Sequence, residues 1–137
     1  MIAVDANLLV ALVSGDPRGS KVFQHFTDWL NHNIAIHAPL LAKYEMADAL
    51  TRLTVVGAFP KDRVEDAWND ISILPISYHD LSNVKRVVEI ALALNRQNAY
   101  DAAYVTLTAE LSAELWTLDG PLYRNAQGLG FAVNLIS

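Results

Sequence analysis

The strongest constraint on the fold is the alternation of short apolar runs with longer stretches that have helical periodicity. The runs that we predict as strands are Ile2–Val4, Ile34–His37, Leu74–Ser77, Leu115–Leu118 and Ala132–Leu135. Strands this short and apolar, separated by helices, are typical of a parallel sheet covered on both faces. We therefore expect an α/β fold, a three-layer α/β/α sandwich with a short-stranded, mainly parallel central sheet. A single domain spanning residues 1–137 has ample length to bury its own core.

The segments between these runs carry the apolar spacing of amphipathic helices. Pro39 is expected to open one of these helices, because proline is tolerated at the first helical position. The predicted helices are Asn7–Ser14, Lys21–Asn31, Pro39 to about Gly57, Pro60 or Lys61 to Ser72, Asp80 or Ser82 to Leu94, Tyr100–Leu111 and Leu122–Gln127.

Composition excludes several classes of site. The chain has no cysteine, which removes disulfides, zinc–thiolate sites, iron–sulfur clusters and thiol nucleophiles together. The sequence shows no secretory signal and no long uncharged apolar span, so we expect a cytoplasmic protein without a membrane segment. An apolar share of 53% in a chain this short indicates a buried interface as well as a core, and so favours a homodimer or a partner-binding protein.

Four acidic residues stand where the predicted fold would bring side chains together. Asp5 and Asp119 directly follow predicted strands, so both carboxylates should emerge at the same edge of the sheet. Asp101 lies in the first turn of its helix among small and apolar neighbours. Glu45 interrupts the apolar stripe of the helix that follows the second strand.

Each acid also has a purely structural interpretation. Asp5 and Asp101 could cap helices, Asp119 could form a turn in Asp119-Gly120-Pro121, and Glu45 could be solvated. Four carboxylates at one edge, however, would repel each other by about 4 kcal/mol for each pair ~4 Å apart. Mg²⁺ or Mn²⁺ would relieve that repulsion, and oxygen ligands suit both ions. Sequestered acids would also leave a net charge near zero instead of −5, so the acidic balance does not exclude nucleic acid as a partner.

The same residues carry a resemblance over essentially the whole chain. The sequence resembles the PIN-domain family, and within it the VapC-type toxin ribonucleases of toxin–antitoxin pairs. The segments that carry this resemblance are Val4-Asp5-Ala6-Asn7-Leu8-Leu9, Ala38-Pro39 with Tyr44-Glu45-Met46 and Ala49-Leu50, Tyr100-Asp101-Ala102-Ala103-Tyr104, and Trp116-Thr117-Leu118-Asp119 with Leu122.

The resemblance implies a metal-dependent endoribonuclease, the toxin of a type II pair, with RNA as substrate and a cognate antitoxin as partner. It implies that the acidic quartet Asp5, Glu45, Asp101 and Asp119 is both catalytic and metal-binding, and that Asn7 and Thr117 support it. The ions expected are Mg²⁺ or Mn²⁺, which would activate the attacking water.

One departure concerns the base that often precedes the third acid in this family. Here Asn98-Ala99-Tyr100 intervene, and Arg96 is the nearest basic residue. Other bases that could contact phosphate are Lys43, Arg52 and Arg124. Asp48, one turn after Glu45, could support it or face solvent. The histidines His25, His32, His37 and His79 show no paired ligand spacing, and we assign them no catalytic role.

Two other functions remain open from the sequence. A haloacid-dehalogenase-like phosphatase also begins with an acid at a strand end, but position 7 is Asn7 where that chemistry needs a second acid, and no lysine follows a later strand. A non-catalytic PIN-like module that binds nucleic acid or protein would keep the fold and lose activity. We expect the tryptophans, Tyr44 and Tyr104 to pack in the core.

Overall fold

The computed structural model describes residues 1–96 and 99–137. The strands are β1 (Ile2–Val4), β2 (Ile36–Pro39), β3 (Ile76–His79), β4 (Glu114–Thr117) and β5 (Val133–Leu135). The helices are α1 (Ala6–Val13), α2 (Gly19–Asn31), α3 (Leu41–Val55), α4 (Val64–Ser72, preceded by a 3₁₀ turn at Lys61–Arg63), α5 (Val84–Ala93), α6 (Tyr100–Leu111) and α7 (Gly120–Gly128).

The five strands form one parallel sheet in the order β3-β2-β1-β4-β5. Helices α2, α3 and α4 pack around α1, whereas α6 packs on β1, β2 and β4 with α5 beside it. Right-handed crossovers place these two groups on opposite faces, because the chain winds outward from β1 to β3 and then returns to β4. The α/β fold with a parallel central sheet is therefore confirmed.

The reversal of strand order between β1 and β4 determines where a ligand can bind. Sheets of this kind bind ligands beyond the carboxyl ends of the strands at such a switch point. The core under this edge is closely packed, and Val4, Leu8 and Leu115 are fully buried. Asp5 and Asp119 lie just above that apolar floor, one at each side of the switch point.

The prediction that Pro39 opens a helix is wrong. Pro39 is the last residue of β2 and lies opposite His79 of β3, and α3 begins only at Leu41. The Leu40 N–H donates to the His79 carbonyl at 2.8 Å, which extends this ladder past the proline. The ladder between β1 and β2 already ends at His37, so proline's missing N–H costs no hydrogen bond there.

Other boundaries differ from the predicted ones by one or two residues. The third strand is shifted to Ile76–His79, and β4 ends at Thr117. Leu118 therefore separates Asp119 from the strand. Gly57 (φ +77°) follows α3 in the left-handed conformation expected of a residue just beyond a helix. None of the helices in the described residues is long and apolar enough to cross a membrane.

Candidate active site

Asp5 is a buried carboxylate at the junction of β1 and α1. Its Oδ1 accepts the Leu8 N–H at 3.2 Å and so caps α1. Its Oδ2 accepts a hydrogen bond from the Thr117 hydroxyl. Capping, the structural interpretation of this acid, therefore holds, but it uses only one of the two oxygens.

Thr117 connects Asp5 to Asp119. It is the last residue of β4 and is fully buried. Its hydroxyl donates to Asp5 and accepts the Asp119 N–H at 3.0 Å. Asp119 in turn caps α7, since its Oδ1 accepts the Leu122 N–H at 3.0 Å. One threonine thus orients the two acids at the switch point.

Glu45 reaches this region from α3 and is held by a tyrosine from α6. The Tyr104 hydroxyl donates to Glu45 Oε1 at 2.5 Å, and the Tyr104 side chain is buried. Burial and the adjacent Glu45 carboxylate both raise the pKa of Tyr104, so its hydroxyl remains a donor. This bond ties α3 to α6 at the position of the acid.

Asp101 lies one helical turn before Tyr104 on α6 and forms an ion pair with Arg96. Arg96 Nε lies 3.4 Å from Asp101 Oδ2. The Nε and Nη2 atoms of Arg96 are buried, and neither has a hydrogen-bond partner within the part of the chain that the structure describes. Arg96 therefore acts on Asp101 mainly through its charge. Asn98, one of the three residues named above between Arg96 and Asp101, lies outside the described residues.

Electrostatic repulsion couples the four acids to one another. Asp5 is repelled by Asp119 and by Glu45. Asp101 is repelled by Asp119 and in turn acts on Glu45. The structure therefore brings together acids contributed by four separate segments of the chain.

Desolvation is the larger cause of the altered acidity at this site. Burial raises the pKa of Asp5 to about 7, against the hydrogen bonds from Thr117 and Leu8, and repulsion adds to the effect of burial. Burial also raises the pKa of Glu45, which the Tyr104 hydrogen bond opposes. The pKa of Asp101 is raised by burial and lowered in part by Arg96. Neighbouring acids whose pKa values are raised by burial and by one another are candidates for a functional site.

The donor set fits a hard divalent cation that retains water. Among residues 1–96 and 99–137, no three carboxylate, histidine or cysteine side chains lie close enough to enclose an ion alone. Mg²⁺ suits such an open arrangement, because it keeps several waters and is usually held by one or two carboxylates. Asp5, Asp119, Asp101 and Glu45 are the residues that would hold it.

Several residues named from the sequence have exposed side chains. Asn7 is exposed in the first turn of α1, and the exposed Asp48 forms an ion pair with Arg52 one turn along α3. The expectation of core packing is wrong for Tyr44, which is 74% exposed, and for Trp68, which is half-exposed. Their helices turn these rings toward solvent.

The histidines, unpaired by sequence spacing, include one spatial pair. His37 Nδ1 and His79 Nε2 lie 2.7 Å apart across β2 and β3. Burial and the neighbouring His79 lower the pKa of His37. A hydrogen bond between the two rings accounts for this contact.

Two residues near the acids were missed as site residues by sequence reasoning. Tyr104 was assigned to the core, although its position one turn after Asp101 places it on the same helix face. Arg18 was not considered, yet its Nη1 lies 3.4 Å from the carbonyl of Leu118, directly before Asp119. No local pattern indicates a contact between residues one hundred positions apart.

Comparison with known proteins gives the family. A protein with a solved structure, PAE2754 from Pyrobaculum aerophilum, superposes with a TM-score of 0.72 at 20% identity, over 96% of this chain and 81% of that one. At that identity the likeness shows the fold alone. No curated protein matches the sequence. The sequence model described as PIN domain matches residues 2–127, and the chain therefore belongs to the PIN domain family.

Proposed function

We propose that this protein is a Mg²⁺- or Mn²⁺-dependent endoribonuclease that acts in the cytoplasm. PIN domains are in general metal-dependent nucleases, which gives the reaction class and nucleic acid as substrate. The choice of RNA and of these ions is our proposal. The observation that carries it is the electrostatic coupling of four carboxylates near the switch point, with the pKa of Asp5 raised to about 7.

The chain's own residues supply position and charge for such a reaction. A bound divalent ion would activate a water and stabilise the leaving oxygen of the phosphodiester. Thr117 fixes the carboxylates of Asp5 and Asp119, and Tyr104 fixes Glu45. Arg96 keeps part of the charge of Asp101 compensated. No nucleophilic side chain is needed.

Cleavage of labelled single-stranded RNA tests this proposal. Wild-type protein should cut the RNA in Mg²⁺ or Mn²⁺ and not in EDTA. Asp101→Asn should lose this activity with an unchanged circular dichroism spectrum, because the amide keeps the shape and removes the charge. If Asp101→Asn cuts as fast as the wild type, or if EDTA has no effect, the assignment is wrong.

We also propose that the protein is the toxin of a type II pair, as the sequence resemblance implies. An apolar groove of about 760 Å³ lies between α1, α3 and α4 and is lined in part by Leu9, Met46, Leu50 and Trp68. A groove of this form suits the apolar face of an amphipathic peptide helix. We therefore propose that a segment of the antitoxin binds in this groove.

If the adjacent reading frame encodes a small protein, co-expression with that protein tests the proposed partner. The two should co-purify, the complex should cleave RNA more slowly, and Leu50→Glu should release the partner without loss of cleavage. Retention of the partner by Leu50→Glu would remove the groove as its binding site.

A non-catalytic PIN module is the second candidate. The exposure of Tyr44 and Trp68 is the observation that favours it, since exposed aromatic rings serve binding surfaces. Such a module should show no saturable binding of Mn²⁺ by calorimetry. Membership of the PIN family leaves no basis for the haloacid-dehalogenase-like alternative.

A further inference from the structure

Arg18 stands at the edge of the acidic cluster, although it belongs to the start of α2. Its Nη1 donates to the carbonyl oxygen of Leu118 at 3.4 Å, and its charge interacts with the carboxylate of Asp5. The next residue, Gly19, allows α2 to approach α1 closely, since a Cβ there would lie 2.6 Å from the carbonyl oxygen of Ala11. The position of Arg18 is therefore set by the packing of these two helices.

Asp16 holds the guanidinium of Arg18 in one orientation. Asp16 Oδ1 accepts the backbone N–H of Arg18 at 2.8 Å and its Nε–H at 3.2 Å, and Oδ2 accepts from Nη2 at 3.1 Å. Bonds along this side of the guanidinium fix its plane, so less side-chain freedom is lost when a ligand binds.

The fixed guanidinium keeps donors free for a ligand. Each terminal nitrogen of an arginine carries two N–H groups. Within the described residues, Asp16 takes one N–H of Nη2 and Leu118 takes one of Nη1, which leaves one on each nitrogen. The side chain is 46% exposed, so these donors can reach solvent or a bound anion.

A second arginine, Arg124, approaches the same short segment that Arg18 contacts. Arg124 Nη1 lies 3.1 Å from the position that a Cβ on Gly120 would occupy, and Gly120 directly follows Asp119. The segment Leu118–Gly120 is thus approached by two guanidinium groups. A substrate polyanion that must approach four carboxylates gains most from cations placed directly beside them.

We propose that Arg18 binds a phosphate of single-stranded RNA next to the phosphate held at the acidic cluster. The inference rests on the proposed ribonuclease function and names a substrate-binding residue for it. Two N–H donors of one planar group match two oxygens of a phosphate, which a lysine cannot reproduce.

The matched comparison is Arg18→Gln against Arg86→Gln. Arg86 on α5 is 49% exposed and also forms an ion pair, with Glu89, so both variants remove one paired and equally exposed charge. Binding of a short fluorescein-labelled single-stranded RNA is followed by anisotropy in EDTA over a range of salt concentrations. Arg18→Gln should weaken binding about ten-fold and reduce the slope of log affinity against log salt by about 0.7. Arg86→Gln should leave the slope unchanged.

Two further measurements make the result unambiguous. Arg18→Lys should keep the salt slope and still lose affinity, and thermal unfolding should show that all three variants are folded. In Mn²⁺, Arg18→Gln should raise KM about ten-fold with little change in kcat, as removal of a binding contact requires. Equal RNA affinity and salt slope for Arg18→Gln and Arg86→Gln would overturn the inference, as would a wild type that binds no RNA. Arg18-dependent binding without metal-dependent cleavage would instead refute the proposed function and leave the phosphate contact standing.

Discussion

At the scale of single residues, folding strongly changes the acidity of Asp5. Its pKa is about 7 in the folded chain against an ordinary value of 3.8, because burial disfavours the charged form. Between these two values the folded state binds more protons than the unfolded state, so stability falls as the pH rises. The cost is complete above about pH 7 and is on the order of 4 kcal/mol.

Thermal unfolding in EDTA from pH 4 to pH 8 measures this cost. The wild type should lose stability across that window, and Asp5→Asn should remove most of the loss because an amide carries no charge. A saturating concentration of a divalent ion should raise the melting temperature of the wild type more than it raises that of Asp5→Asn. A melting temperature that is independent of pH between 4 and 7 would contradict the buried, protonated carboxyl.

Thr117 offers a second prediction at this scale. Thr117→Val keeps the shape and removes the hydroxyl shared by Asp5 and Asp119, so Mn²⁺ affinity should fall about 10–100-fold. Thr106→Val is the control, since Thr106 is also buried and its hydroxyl donates to the Ala102 carbonyl of its own helix. Calorimetry showing equal Mn²⁺ affinity for the two variants would remove Thr117 from the site.

The sequence predicts some residues of the site better than others, for physical reasons. The proximity of Asp5 and Asp119 was predictable because parallel strands end at a common edge, which is a rule of local order and topology. Tyr104 was assigned correctly to the core. Its bond to Glu45, which lies 59 positions earlier in the chain, depends on how α3 and α6 pack together. The contact of Arg18 with Leu118 depends in the same way on the assembled molecule.

At the scale of secondary-structure elements, α3 and α6 are joined at the site by one hydrogen bond between side chains. Tyr104→Phe removes the hydroxyl that donates to Glu45 and leaves the ring in place. Activity in Mn²⁺ should fall about ten-fold or more through kcat, because Glu45 is no longer held. Tyr44→Phe, on the exposed ring beside Glu45, should be neutral.

Comparing kcat with the melting temperature of Tyr104→Phe shows whether the hydrogen bond positions Glu45 or only stabilises the fold. If Tyr104→Phe lowers the melting temperature but leaves kcat at the wild-type value, the bond serves only to join the two helices. Recovery of kcat at higher Mn²⁺ concentration would place the defect in metal binding.

Element boundaries were the least predictable part of the fold. Apolar runs located every strand, because strands buried on both faces need such runs. Pro39 was assigned to a helix start because that is a common place for proline, yet the neighbouring ladder ends two residues earlier and allows it in β2. Whether a strand tolerates proline at this position depends on where the pairing with its neighbour ends. The local sequence pattern does not contain that information.

At the scale of the whole molecule, α5 presents an apolar stripe that we propose as the homodimer interface. Val84, Val88 and Leu92 are spaced four residues apart on one face, and all three are exposed. Wild-type protein should be a dimer by size-exclusion chromatography with light scattering.

Val88→Glu should give a monomer at the same concentration, because a charge at the centre of an apolar interface is costly to bury. Arg86→Glu, roughly 160° around the same helix from Val88, should remain dimeric. A monomeric wild type at micromolar concentration, or a dimeric Val88→Glu, would contradict this interface.

In the proposed function, acids from four segments of the chain form one shared binding site for a divalent ion. Titration with Mn²⁺ by calorimetry, for the wild type, Asp5→Asn, Asp101→Asn and Asp28→Asn, tests it most directly. Asp28 is an exposed acid on α2 and serves as the control for charge. The wild type and Asp28→Asn should bind Mn²⁺ saturably, and Asp5→Asn and Asp101→Asn should each lose that binding. Undiminished binding by Asp5→Asn and Asp101→Asn would contradict a shared site.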